Sequence, residues 1–223
     1  MHRRLRLFPL NAVLFPGAVL NLHVFEARYK QMINECLAAG EGFGVALIAE
    51  GAEAGDPNVT PHDVGSIAEI VEVQPLPFDR YYISTVGRQR FRICEIVSRE
   101  PYLTVEADVI EDDTAGDDET SRLGERVRAL FLEYVQLAIE FSGSDATVEL
   151  PDDPVATSFL IGDSLQIADA VKQRLLELGS TKKRLLAEED FLQRLLPELR
   201  RMLERRRHRP RQEKFYGKYF SPN

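Results

Sequence analysis

RLFPLNAVLFPGAVLNLHVFEARY, residues 6–29, is apolar along most of its length and turns charged abruptly at Glu26. Three readings compete: an export signal, a membrane anchor, or buried strands leading into a helix. An export signal needs a positive start, an unbroken apolar centre and a small-residue cleavage site. Arg3, Arg4 and Arg6 supply the start, but Pro9, Asn11, Pro16 and Gly17 break the centre and no small-x-small site precedes His23. A membrane helix needs roughly 20 consecutive apolar residues, and no run here approaches that. The strand reading is the one left.

Composition agrees with a folded domain. The chain has 223 residues, 44% hydrophobic and 29% charged, enough to bury a core and too apolar for disorder. With only Cys36 and Cys94, a disulfide framework is not expected and the cytoplasm is the natural compartment. The net charge of −8 is unevenly spread: residues 200–223 hold nine Lys or Arg against two acids, leaving 19 basic and 34 acidic residues in the first 199. An acidic body repels nucleic acid and anionic membranes, so polyanion contact would fall to Arg200, Arg201, Arg205, Arg206, Arg207, Arg209 and Arg211 in the tail. The same arginines also suit the negative end of a helix dipole.

Outward from the opening stretch the pattern divides in two. Up to about Glu111 it reads as strands: "LRLFPL", then "AVLNLHVF" with Ala18 or Val19 alternating against Asn21 and His23. "EARYKQMINECLAAG" changes to helical spacing through Tyr29, Met32, Ile33, Cys36 and Leu37, with Gly40 as the stop. "FGVALIAE", "GSIAEIVEVQPLP", "YYISTVGRQRFRICEIVS" and "YLTVEADVIE" follow as strands. Gly87 marks a bend, and the parity shift between Ile93 and Ile96 around Cys94 is the signature of a bulge. Many short strands with one early helix favour a closed or nearly closed barrel, because closure removes exposed edges.

"EDDTAGDDET" interrupts with six acids in ten residues and reads as a solvated linker. Beyond it the period is helical: Leu123, Val127, Leu130, Tyr134, Leu137 and Phe141 form one stripe. Asp153 before Pro154 is a capping pair. Residues 170–178 form a further helix, and Ser180 or Thr181 caps a last long one carrying Leu185, Leu192, Leu195, Leu199, Met202 and Leu203, with a kink expected at Pro197. The expected organisation is a barrel over residues 1–112, an acidic linker over 113–120, a helical part over 121–208 and a basic, aromatic tail over 209–223.

"LFPLNAVLFPGAVLNLHVFEARYKQMINECL" resembles the amino-terminal substrate-binding domain of the ATP-dependent protease Lon, particularly its freestanding bacterial relatives. The likeness continues through "FGVALI" and residues 64–112, and more loosely through "LPDDPVATSFLIG" and "AVKQRLLEL", so that it covers residues 5 to about 203. It implies an α+β fold, a PUA-like β pseudobarrel followed by an α-helical bundle, in agreement with the residue patterns. It also implies that the opening stretch is two barrel strands joined by a tight turn at Phe15, Pro16 and Gly17. Lon's ATPase and proteolytic modules have no counterpart here: no GxxxxGK[ST] loop is present.

No catalytic motif surrounds His2, His23, His62 or His208, both cysteines read as small core residues, and no CxxC, HxxxH or HExxH spacing marks a metal site. No catalytic residue, metal or cofactor is expected. Binding is the remaining class. The resemblance implies recognition of unfolded or degron-bearing polypeptide, alone or with a separate protease or chaperone, and such a surface is an exposed apolar patch or an open sheet edge. The candidates are Phe15, Pro16, Phe25, Tyr29, Phe78, Tyr81, Tyr82 and Tyr102, with "PLPFDRYY" the densest cluster; an uncovered apolar groove between barrel and bundle would discriminate this reading. The alternative is association with RNA or DNA through the basic tail, which the acidic body opposes. "KFYGKYFSPN" holds four aromatics that either fold back on the body or mediate self-association.

Overall fold

The structure is a computed structural model and describes residues 2–52, 58–78, 80–112, 118–143 and 149–207. Strands β1 (His2–Leu10), β2 (Val19–Val24), β3 (Phe43–Glu50), β4 (Thr60–Pro61), β5 (Val64–Leu76), β6 (Arg80–Ser98) and β7 (Leu103–Ile110) form the first part, with α1 (Ala27–Ala39) between β2 and β3. Helices α2 (Asp118–Ser142), α3 (Pro154–Ser164), α4 (Asp169–Glu177) and α5 (Thr181–Arg207) form the second.

The sheet runs β1-β7-β6-β5-β3-β4, and β1 also pairs in parallel with β3 from Leu7↔Gly44 to Leu10↔Leu47, which closes it into a barrel. Closure demands strong local curvature, and the sequence supplies bulges for it. The register slips between Ser66 and Ala68, between Ile70 and Glu72, and on β6 around Cys94, where Ile93↔Ala107 is followed by Glu95↔Glu106. The expected bulge at Cys94 is therefore present. The 19 residues of β6 serve three partners: β5 along one edge, β2 opposite residues 81–86 and β7 opposite residues 90–98. Inside, Phe8, Phe43, Val45 and Ile83 pack against Met32 and Ile33 of α1, and Leu5, Leu7, Phe91 and Val105 fill the other end.

In the opening stretch, β1 and β2 are not neighbours, since β1 pairs with β7 and β3 while β2 pairs with β6. The turn between them is clasped to β6 instead: Gly17 donates to the Gly87 carbonyl at 2.8 Å and Gly87 donates to the Ala18 carbonyl at 2.9 Å. Gly87 is required for that approach, because a Cβ there would lie 2.2 Å from the Phe15 carbonyl oxygen. On β2 the inward residues are Leu20, Leu22 and Val24, in phase with Ala18, while Val19 points outward with Asn21 and His23, so that of the two expected alternations the one through Ala18 holds.

Asp153 caps α3 by accepting from the Ala156 amide at 2.9 Å, with Pro154 at the first turn. Helix α2 begins at Asp118, so the last three residues of the expected linker are its first turn, where Asp118 and Glu119 complement the helix dipole. Residues 113–117 lie outside the described residues, as does the tail 209–223. Helix α5 continues through Pro197 and buries Leu185, Leu192, Leu196 and Leu203, while Met202 stays half exposed. Leu123, Val127, Phe131 and Tyr134 of α2 meet that stripe to form the helical core.

Candidate functional site

The barrel and the helices meet along an apolar seam sealed by charge. Phe15, wholly buried, crosses from the clasped turn to Phe159 on α3, with ring centroids 6.4 Å apart, beside Val64, Leu175 and Leu176. Gly162 makes room for it: a Cβ there would stand 2.9 Å from the Phe15 ring. Gln173 of α4 donates to the Val64 carbonyl at 3.0 Å.

Two buried guanidiniums lie over Phe159, Arg184 at 3.9 Å and Arg90 at 5.3 Å from its centroid. Arg90, from β6, donates to the carbonyls of Leu176 (2.5 Å) and Leu178 (2.7 Å) and to Asp112 (2.7 Å). Arg184, from α5, donates to the Leu178 carbonyl (2.9 Å), the Ser158 hydroxyl (2.8 Å) and the same Asp112 oxygen (3.2 Å). Burial pulls both below the ordinary arginine range and Asp112 opposes that shift; the groups stay charged because arginine starts so high. Next to them Glu188 is fully buried with neither oxygen hydrogen-bonded, and burial raises its carboxyl well above the ordinary range against the Arg184 charge.

Above this seam the two parts diverge into an open groove of about 830 Å³, within the size range of ligand-binding clefts. Pro16 and Val19 form one lip, Val155 and Leu160 of α3 the other, and Ile110 and Phe159 the floor. Val19 is 64% exposed. Glu111, Asp112, Asp153 and Asp163 line it with carboxyl groups beside the guanidiniums of Arg88 and Arg90, and burial raises the carboxyl of Asp163. The clasp of the turn onto Gly87 positions the first lip and the Asp153 cap positions the second. The arrangement offers apolar surface edged by mixed charge with acids in excess, suited to an extended segment with apolar and basic side chains.

Of the aromatic candidates, Phe15, Tyr29 and Tyr102 are core residues: Phe15 in the seam, Tyr29 stacked on Phe8 at 3.8 Å, and Tyr102 hydrogen-bonded to Glu35. Tyr81 is half-buried against the barrel core, and Pro16 lines the groove. Phe25, Tyr82 and Phe78 are exposed, Phe78 by 88% in the turn between β5 and β6 at a φ of 63°. They gather at the far end of β2 from Val19, where His23 sits opposite Tyr82 and 5.5 Å from Phe25. The sequence thus marked one lip of the groove and missed Val19, Val155, Leu160 and Phe159, which carry no local signal beyond ordinary helix and strand patterning.

The tail arginines serve the helices. Arg200 pairs with Glu133, Arg207 with Glu140 and Arg201 with Glu198, and Arg206 donates to the Phe141 carbonyl with its guanidinium 5.1 Å from that ring. Arg205 borders a patch with Phe141 and Met202. Arg209 and Arg211 lie outside the described residues. Among the described residues no helix is long and apolar enough to cross a membrane.

Comparison with known proteins gives a consistent result. Residues 4–194 match the family model of the ATP-dependent protease La (LON) substrate-binding domain. Lon protease 2 of Myxococcus xanthus is 30% identical over 185 residues, covering 81% of this chain and 22% of that protein. The Lon protease of Anaeromyxobacter dehalogenans is 29% identical over 185 residues with the same coverage. The chain spans about a fifth of the length of these relatives. The Lon N-terminal domain protein from Xanthomonas campestris superposes with a TM-score of 0.62 at 24% identity, covering 83% of this chain and 96% of that one. The N-terminal domain of Mycobacterium avium complex Lon protease gives 0.65 at 20% identity, covering 86% and 98%. Both structures share the α+β fold described above, and the family match over most of the sequence means that the chain belongs to the Lon substrate-binding domain family.

Proposed function

We propose that this chain is a noncatalytic polypeptide-recognition module that holds an unfolded or degron-bearing segment in the groove between barrel and helices, serving as an adaptor for a separate protease or chaperone that supplies ATPase work. The observation that carries the reading is the uncovered groove itself, with Val19 and Val155 on opposite lips over an apolar floor. Family membership supports the substrate class. The carboxylates at the rim select against acidic segments and favour basic ones by simple charge complementarity. Pairing of Arg200 and Arg207 with glutamates of α2 offsets part of the positive charge that this part of α5 could offer nucleic acid.

The test is a fluorescence-anisotropy titration of the full chain with a permanently unfolded polypeptide, repeated with the Val19→Asp variant and with single-stranded RNA. Saturable polypeptide binding that Val19→Asp weakens supports the reading, with RNA silent at moderate salt. Binding to RNA alone, lost as salt rises, replaces it with the nucleic-acid alternative.

A further inference from the structure

The bulge on β6 has no role in the groove, yet it changes what the barrel surface can hold. An extra residue at this point gives β6 two residues, Cys94 and Glu95, where β7 has one, and Cys94 is exposed rather than core. Across the adjoining strands, His2 of β1 sits opposite Asp108 of β7 in register. The His2 Nδ1 is 2.9 Å from Asp108 Oδ1, and the Cys94 Sγ is 3.6 Å from Asp108 Oδ2. One donor atom from each of the three residues falls within 4.8 Å of the others.

The Cys94–Asp108 separation is already that of two donors on a tetrahedral ion, and the His2–Asp108 pair, now at hydrogen-bond distance, opens by a few tenths of an ångström when an ion takes the place of the proton between them. With bonds of about 2.0–2.3 Å to nitrogen, oxygen and sulfur, tetrahedral donors stand roughly 3.3–3.7 Å apart. We propose that His2, Cys94 and Asp108 form a binding site for a borderline divalent cation of the Zn²⁺ class, with a fourth position open to solvent. The donor set selects the ion: a thiolate and an imidazole suit Zn²⁺, whereas Mg²⁺ and Ca²⁺ call for oxygen donors throughout. A neutral imidazole with a thiolate and a carboxylate balances a dication, and the Cys94 proton leaves to solvent as the metal binds. Arg92, opposite Asp108 on β6 and exposed, is the nearby opposing charge, and the neighbouring Glu106 is paired with Arg4 at 3.0 Å. Because the three ligands come from three strands at positions 2, 94 and 108, no spacing along the sequence announces the site. The bound ion ties the first strand of the barrel to β6 and β7.

The experiment titrates Co²⁺ into tag-free, reduced full-length protein and follows the thiolate-to-cobalt charge-transfer band in the near ultraviolet. One equivalent is expected to generate the band and Zn²⁺ to bleach it by displacement. Cys94→Ser is expected to abolish the band; His2→Gln and Asp108→Asn are each expected to weaken Zn²⁺, measured by competition with a chromophoric chelator, by at least about tenfold. Cys94 and His2 are exposed and Asp108 half so, so the variants keep the fold, which far-ultraviolet circular dichroism verifies. Zn²⁺ is also expected to raise the melting temperature of the parent and not of Cys94→Ser. Absence of the band in the parent, its survival in Cys94→Ser, or unchanged affinity in both His2→Gln and Asp108→Asn overturns the proposal.

Discussion

Arg90 and Arg184 donate to the same carboxylate oxygen of Asp112, at 2.7 and 3.2 Å, although one guanidinium arises from the barrel and the other from the final helix. Both side chains are fully withdrawn from solvent. Two like charges buried side by side repel, and the arrangement holds because Asp112, the Leu176 and Leu178 carbonyls and the face of Phe159 all present negative potential to them.

Asp112→Asn keeps the shape of that junction and removes its charge. Breaking a buried ion pair from one side costs about 3–5 kcal/mol; the remaining carbonyl acceptors place this case near the lower bound, about 3 kcal/mol. Urea denaturation should show the midpoint falling accordingly. A change below about 1 kcal/mol would mean the guanidiniums are held by the carbonyls and Phe159 alone.

Glu188, one turn beyond Arg184 on α5, titrates against the fold. Burial raises its folded-state carboxyl above the ordinary value, so its contribution to stability is complete below the unfolded value of about 4.3 and is lost as pH rises toward the folded value. Glu188→Gln removes the titration. The stability of the variant relative to the parent should therefore climb as pH rises above about 4, by up to roughly 1.4 kcal/mol per pH unit. Denaturation at stepped pH reads the slope, and a flat difference contradicts it.

Gly87→Ala drives a methyl group into the Phe15 carbonyl oxygen, a backbone atom that cannot swing aside. Overpacking of this kind costs about 1–3 kcal/mol. It should also displace the turn that carries Pro16 and Val19, so polypeptide affinity is expected to fall along with the melting temperature, whereas Val19→Asp lowers affinity alone.

The two exposed apolar surfaces are separable by mutation. Val19→Asp at the groove should weaken unfolded-polypeptide binding by about 1–2 kcal/mol, roughly five- to thirtyfold. Phe78→Ser and Tyr82→Ser, at the other end of β2, should leave it within about twofold. The reverse pattern, read by the same anisotropy titration, moves the recognition surface to the β5–β6 turn.

Alternation and helical spacing made the strand-then-helix order legible, and the bulge at Cys94 was legible because a parity break shows in a single strand. The Asp153–Pro154 start was equally local. The seam was not: Arg90 sits in a strand flanked by exposed Arg88 and Gln89, and its burial depends on a helix some 90 residues later. Phe15 looked like a binding aromatic for the same reason, since the partner that covers it, Phe159, lies on another element. On β2 the sequence left Ala18 and Val19 both open, because alternation carries no sign of which parity faces in until the pairing with β6 is known; Ala18 is the inward one.

The two guanidiniums and their shared carboxylate also bear on modularity. A cut just beyond Asp112 would strip the barrel of the helices whose carbonyls receive Arg90, uncover Phe15 and Val64, and take from Arg184 the carboxylate it shares with Arg90. The composition break at the acidic stretch is therefore a boundary in pattern and not in cooperativity: barrel and helices are expected to evolve, transplant and unfold as one unit.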